Sequence, residues 1–357
     1  MIKKTICVLT LLIIFVLPAA EYREPELSND NSWSMIVVPD VQFYIKKNKL
    51  QGIVDLMLTW ITDNTEKLKI QQVLFVGDLV NYNNVGYVTS FNDLVCKEQW
   101  ETFSKFVARL DGKVPYVLCT GNHDYGIRWS EDRRTHFNEY FPSDRNRLSR
   151  KQLIECAPNA DGIRTTENAI WEFTAPHPDN RKFLIVTLQF APTDSNLEWA
   201  RKKLAQPDFE NHTVIVLTHS YLKANGTRLQ NEKYGVNQMG GNSGEAIFQK
   251  LIYPSKNIRL VISGHVGGPQ GWGVGFSFDR NIAGKKVAQM VFNTQFIDKR
   301  DPLGGSGGDG WLRYLEFMPD KKTIRARTFS PLFAISPSTR YLAWKTDERN
   351  EFSFELD

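Results

Sequence analysis

Five apolar runs in this sequence each end on a polar group able to ligate a metal or move a proton: Asp40, Asp78, Asn122, His219 and His265. The densest ending is Cys119-Thr120-Gly121-Asn122-His123-Asp124-Tyr125-Gly126, which follows the apolar run at 114–118. A buried strand that turns through Gly-Asn-His-Asp puts an amide, an imidazole and a carboxylate on one tight loop. In an open α/β sheet the edge where strands end is where ligands bind. If the runs are parallel strands, the five groups converge there although they lie far apart in the chain. Carboxylate, amide oxygen and imidazole together suit divalent metals of intermediate hardness such as Zn, Mn, Fe or Ni. Asp78 is suited to bridge two such ions about 3.5–4 Å apart, the spacing of two-metal hydrolytic sites. Singly, Asp40 and Asp78 read as turn residues, and His219 and His265 as structural histidines. The chemistry is carried by the set.

Such a set needs strands alternating with helices. Residues 35–38, 73–76, 115–119, 183–188, 214–217 and 260–262 are short apolar runs that read as strands. Ile53, Leu56, Met57, Trp60 and Ile61 recur at helical spacing within 50–68, and Trp100, Phe103, Phe106 and Val107 within 92–110. Two more helices are expected at 196–204, capped by Asp194 or Ser195, and at 243–252, capped by Asn242. The alternation predicts a layered α/β core. The last third changes character, with strands expected at 287–292, 311–317, 323–329, 340–344 and 352–356. These read as β-hairpins completing the second half of the fold. Residues 141–168 and 223–242 read as long, polar, irregular segments, a length that usually marks a functional or disordered loop.

The 357 residues are 41% apolar, 24% charged and 12% aromatic, values of a globular chain with a sizeable core. The net charge of +4 is small and no basic run is long, so there is no nucleic-acid-binding signature. Residues 1–20 read as a signal peptide: Lys3 and Lys4, an uncharged apolar run at 6–17, then Pro18-Ala19-Ala20. Residues 21–34 are a polar lead-in, and 35–357 are expected to form one domain with a β-rich C-terminal part. The expected location is secreted or periplasmic, with no membrane span after signal removal. Cys96 and Cys156 could pair in such a compartment, whereas Cys119 reads as a small core residue. His136, His177 and His212 lie in polar contexts without a motif and read as surface residues. The run Gly304-Gly305-Ser306-Gly307-Gly308 lacks the Lys-Ser/Thr of a phosphate-binding P-loop and reads as a turn.

The order Asp-x-Gln at Asp40, Gly-Asp at Asp78, Gly-Asn-His-Asp at 121–124, a strand-end His219 and Gly-His at His265 resembles the calcineurin-like metallophosphoesterase superfamily. The resemblance covers about residues 35–330. It implies a layered β-sandwich flanked by helices and hydrolysis of a small phosphate ester, monoester or diester, by a metal-bound hydroxide at a dinuclear site. By position, Asp78 is implied as the bridging ligand, with Asn122, His219 and His265 completing the second metal. Asp40 and Gln42 are implied at the first metal. His123 is implied to face the substrate phosphate, as donor to the leaving oxygen or stabiliser of transition-state charge. Asp124 is expected to orient His123 through a hydrogen bond.

Two positions depart from the family pattern. Gln42 stands where the family usually has His, and Gly267 where it has a second His two residues after His265. Both missing imidazoles belong to the first metal, which is therefore weakened, altered in preference or completed by another residue, with Gln295 as a candidate. The purple acid phosphatase subgroup is disfavoured, because Asn81 stands where its iron-binding tyrosine is expected. The alternative reading is a non-catalytic or single-metal binding protein on a degenerate phosphoesterase scaffold.

Overall fold

The computed structural model describes residues 22–90, 93–235, 239–297 and 307–357. The expected signal peptide and Gly304 to Ser306 of the glycine-rich turn lie outside the described residues. Strand β1 (Trp33–Val38) is buried along its whole length, as are β3 (Tyr116–Leu118) and nearly all of β2 (Ile70–Phe75). Continuous apolar runs of this kind are what parallel strands covered on both faces require. These three pair in parallel, β1 with β2 and β2 with β3. A second parallel set comprises β6 (Lys182–Leu188), β7 (Thr213–Thr218), β8 (Ile258–Ser263) and β10 (Lys286–Asn293). Antiparallel strands β4 (Leu153–Pro158) and β5 (Arg164–Thr174) extend it on one side and β9 (Gly273–Arg280) on the other. The second sheet runs β4-β5-β6-β7-β8-β10-β9.

The remaining strands, β11 (Leu312–Phe317), β12 (Thr323–Phe329), β13 (Trp344–Lys345) and β14 (Phe352–Glu355), belong to the first sheet. Its order is β13-β12-β11-β1-β2-β3, with β14 also on β12. Of the strands expected in the last third, β10 completes the second sheet as the sequence suggested, but β11 to β14 do not. They cross back, and β11 pairs antiparallel with β1. The driving force is the face between the sheets. Trp33 of β1 stacks on Phe317 of β11 at 4.0 Å and meets Phe183 of β6 edge-on at 5.3 Å. Without β11, that side of β1 would expose its backbone and its aromatic partner.

Alternation along each strand sends one set of side chains between the sheets and the other outward. Met35, Val37 and Leu74 share a buried cluster with Ile185, Ile215 and Met290 from the second sheet. Val38, Val73 and Phe75 point outward against Val54, Met57 and Ile61 of helix Gln51–Asp63, and Trp100 and Phe103 of helix Cys96–Val107. On the opposite outer face Leu184, Val186 and Val216 pack against Leu197, Leu204 and Ile247. The result is a helix-flanked β-sandwich of the expected class. Among the described residues no helix is long and apolar enough to cross a membrane.

Several local expectations change. Residues 340–344 form the tight turn Arg340–Leu342 and only then the two-residue β13, because Ser330 N–H binds the Ala343 carbonyl and holds the turn in place. Helix Asp194–Leu204 is capped by Thr193, whose hydroxyl accepts from Asn196 N–H while Asn196 returns the bond to Thr193 N–H. Helix Gly244–Ile247 starts after Ser243 rather than Asn242, and continues as the wider turn Phe248–Ile252. Segment 141–168 is not irregular: it holds helix Arg147–Gln152, β4 and the start of β5. Cys96 and Cys156 are free thiols. His212 is buried rather than superficial, its Nε2 being 2.8 Å from Glu172.

Candidate metal centre

The C-terminal ends of β1, β2 and β3 meet those of β7, β8 and β10 at one edge of the sandwich. Asp78 follows β2 through Gly77, and both adopt left-handed backbone, with φ of 103° at Gly77 and 51° at Asp78. For a non-glycine residue this costs about 1–3 kcal/mol and persists only where neighbours enforce it. Asp124 enforces it. Its carboxylate accepts from the backbone N–H of Leu79 at 2.9 Å, Val80 at 3.1 Å and Gly121 at 2.7 Å. One buried carboxylate thus staples the loop after β2 to the loop after β3. Burial and the nearby Asp78 carboxylate push Asp124 up to about 7, against the pull of these three N–H groups.

This corrects the expected role of Asp124. The tight turn Asn122–Asp124 folds its side chain back onto Gly121 N–H, away from His123. His123 is oriented instead by the Asn81 carbonyl, 2.7 Å from its Nδ1, while its backbone N–H donates to Asp78 Oδ1 at 3.0 Å.

Around Asp78 the predicted residues gather closely. Ligand atoms of Asp78, His219 and His265 all lie within 4.8 Å of one another. His219 Nε2 is 3.2 Å from Asp78 Oδ1 and 3.2 Å from Asn122 Oδ1. Its Nδ1 is 2.7 Å from the Val76 carbonyl, an obligatory acceptor, so Nδ1 carries the proton and Nε2 is the ligating atom. Asp40, 1% exposed, accepts at Oδ2 from Asn293 Nδ2 at 2.8 Å, Gln295 Nε2 at 2.9 Å and His265 N–H at 3.1 Å. Gln42 Nε2 donates to Asp78 Oδ2 at 2.9 Å. A methyl group at Gly121 would lie 2.2 Å from Asp78 Oδ1, so the carboxylate fits only over a glycine.

The electrostatics fit a cation. Burial disfavours charge on His219, yet the Asp78 carboxylate holds its pKa up to about 10, so positive charge is strongly favoured at this point. Burial and the adjacent His219 push His265 down to about 3, leaving a neutral imidazole. Burial drives Asp40 well above the usual carboxylate range, reinforced by Asp78. Gln42 Oε1, Gln295 Oε1 and Asn122 Nδ2 are buried without hydrogen-bond partners. A buried carboxylate and two imidazoles with ligand atoms this close, one of them held neutral, are a group that could hold a metal ion.

One group was invisible in the sequence. Glu232, 7% exposed, sits with Oε2 3.8 Å from His265 Nε2, and its other oxygen accepts from the Ser220 hydroxyl. It belongs to the segment 223–242, where no apolar run or motif flags it. Phe190 after β6 and Tyr234 wall the imidazoles, with ring centres 5.9 Å and 5.8 Å from His265.

The family model described as "Calcineurin-like phosphoesterase" matches residues 36–269, well over half of the chain. The chain belongs to this family. The family is one of metal-dependent phosphoester hydrolases, and among the described residues Asp78, His219 and His265 form a group that could hold an ion. Among curated proteins, "Uncharacterized protein YvnB" of Bacillus subtilis (strain 168) is 24% identical over 330 residues. The alignment takes in 91% of this chain but 22% of that protein, so the chain spans about a fifth of its relative's length. Among solved structures, "GAP50 the anchor in the inner membrane complex of Plasmodium" aligns at a TM-score of 0.41 and 11% identity, covering 91% of this chain and 89% of that one. "Structure of PhoD" aligns at 0.44 and 11%, covering 93% and 71%. Of the two departures from the family pattern, Gln42 bonds Asp78 and Gly267 lies against the Phe296 ring.

Proposed function

We propose that this chain hydrolyses small phosphate esters, monoesters or diesters, at a centre of two divalent cations. The observation that supports it most is the convergence of Asp78, His219 and His265 within 4.8 Å, with His123 on the adjoining loop. Asn122, His219 and His265 would hold one ion, Asp40 and Gln42 the other, and Asp78 both. Bound cations would polarise the phosphoryl oxygens and activate a water as nucleophile. The chain's own contribution is positioning. The Asn81 carbonyl and the Asp78 carboxylate fix ring and backbone of His123. With Nδ1 committed to Asn81, only Nε2 is available to the ester, and it donates to the leaving oxygen when the ring is protonated. Phe190 and Tyr234 keep water from the far side of His265, which strengthens charge interactions inside.

The test pairs metal analysis of the purified protein with turnover of p-nitrophenyl and bis-p-nitrophenyl phosphate in Mn, Zn, Fe, Ni and Co. His123→Ala should lower kcat by roughly 10²–10⁴-fold with metal content unchanged. Asp78→Ala should lose both metal and turnover, and wild-type turnover by metal-loaded Asp78→Ala would refute the mechanism. A single-cation binding protein is the second reading, favoured by the amide donors of Gln42 and Gln295 on Asp78 and Asp40. It predicts metal in the purified protein and no turnover with any of the five ions.

A further inference from the structure

Gln42 and Gln295 are 1% and 4% exposed, and each covers one carboxylate of the centre. Gln42 Nε2 donates to Asp78 Oδ2 and Gln295 Nε2 to Asp40 Oδ2, both at 2.9 Å. The Oε1 atoms of both are buried without a hydrogen-bond partner. Asn293 beside them is different. Its Oδ1 accepts the Gln295 backbone N–H at 3.0 Å, so its Nδ2 is committed to Asp40 at 2.8 Å. Asn293 would lose two bonds on turning, whereas each glutamine would lose only its bond to one carboxylate. A half-turn of a carboxamide exchanges nitrogen and oxygen of nearly equal size. It would bring two amide oxygens up to two carboxylates, which is repulsive unless a cation lies among them. A buried acceptor left unpaired is costly, and a cation among these oxygens would relieve that cost.

The residues around Gly267 show why imidazole is absent here. A Cβ at Gly267 would lie 2.8 Å from the Phe296 ring. That ring is met edge-on by Phe43, with centroids 5.9 Å apart. Phe43 follows Gln42 and Phe296 follows Gln295 in the chain. The aromatic pair that takes the room of a side chain at 267 is therefore carried by the helix start and the turn that carry the amides.

We propose that Asp40, Asp78, Gln42 and Gln295 form an all-oxygen cation site for a hard divalent ion, Mg²⁺, Ca²⁺ or Mn²⁺, beside the nitrogen-bearing site of Asn122, His219 and His265. The inference rests on reading the centre as a metal site and assigns a different class of ion to each half. Oxygen-only donors suit hard cations, whereas imidazole draws Zn and its neighbours.

The test is calorimetric titration of chelator-stripped full-length protein with Zn²⁺, Mn²⁺, Mg²⁺ and Ca²⁺, each alone and after one equivalent of Zn²⁺. Two equivalents are expected. The second should take Mg²⁺ or Ca²⁺ and should prefer Zn²⁺ over Mn²⁺ at least tenfold less than the first does. Gln295→Ala and Gln42→Ala should each weaken the second equivalent tenfold or more and leave the first within about twofold. Gln42→His should restore a Zn²⁺ preference at the second. A single equivalent with every ion, a second equivalent as zinc-selective as the first, or glutamine variants that bind like wild type would overturn the proposal. Two equivalents without phosphate-ester turnover would support the cation site and count against the proposed hydrolysis alone.

Discussion

Asp124 offers the sharpest test of how the centre is held together, because sequence pattern and structure assign it different work. If it oriented His123, its loss would fall on kcat. In the structure it holds three backbone N–H groups and makes no hydrogen bond to the His123 ring. Asp124→Asn keeps one oxygen. Placed at Oδ1 it still accepts from Leu79 and Val80, but the amide nitrogen then faces Gly121 N–H, donor against donor. Losing one charge-assisted bond and stranding a buried N–H costs roughly 2–3 kcal/mol. Asp124→Ala strands all three N–H groups, and with partial entry of water the cost is about 4–6 kcal/mol. The left-handed Asp78 then lacks its restraint, so metal affinity should fall along with stability. Urea unfolding followed by the fluorescence of buried Trp33 and Trp100 gives the first quantity, and competition with a chelator the second. At saturating metal the kcat of Asp124→Asn should stay within a fewfold of wild type, since Asn81 still fixes His123. An Asp124→Asn protein that is stable to within about 0.5 kcal/mol, fully metallated and slowed tenfold or more would refute this account.

Three further perturbations address neighbouring contacts. Glu232→Gln removes the carboxylate 3.8 Å from His265 Nε2 and should weaken metal binding about 10–100-fold in chelator competition, with little change in unfolding midpoint. Gly121→Ala drives a methyl group into Asp78 and should abolish metal binding, whereas Gly52→Ala, with open space around it, should bind normally and be about 1 kcal/mol more stable. Asp179 gives a pH signature. Burial would raise its pKa, but hydrogen bonds from Arg181 at 2.7 Å and Trp33 at 2.8 Å win and hold it below the usual value. A depressed folded pKa contributes stability that is fully present above about pH 4 and lost as pH falls through the folded value. The stability gap between wild type and Asp179→Asn should therefore be constant from about pH 5 to about pH 8 and close below about pH 4; a gap unchanged at about pH 3 would contradict it.

The parallel strands were readable because burial on both faces writes an unbroken apolar run, as in β1 and β7. Strand β5 hid because its first half is Thr165, Thr166, Glu167 and Asn168, all polar and all buried. Glu167 is satisfied largely from outside the strand: Tyr125 and Asn138 donate to it at 2.6 Å each. No local pattern announces a partner forty residues away. The return of the C-terminal strands to β1 was hidden for the same reason, since only the Trp33–Phe317 stack says which sheet they join.

At the site, the residues that end strands were legible and those supplied by loops were not. Asp40, Asp78, Asn122, His219 and His265 are where strand-end reasoning puts them, whereas Glu232 comes from a loop whose path the sequence does not encode locally. Asp124 was misread because spacing says that two residues are adjacent, while turn geometry decides which way each side chain leaves. The two missing imidazoles look in sequence like decay of one metal position. Their surroundings argue for exchange. Random loss would leave a void at Gly267 and unsupported carboxylates; instead Phe296 lies against Gly267, Asn293 and Gln295 hold Asp40, and Gln42 holds Asp78. With their nitrogens toward the carboxylates the two amides stand in for a cation, and with the amides turned the same atoms would bind one. That arrangement is what makes the cation preference of the Asp40 end, rather than its loss, the property to measure.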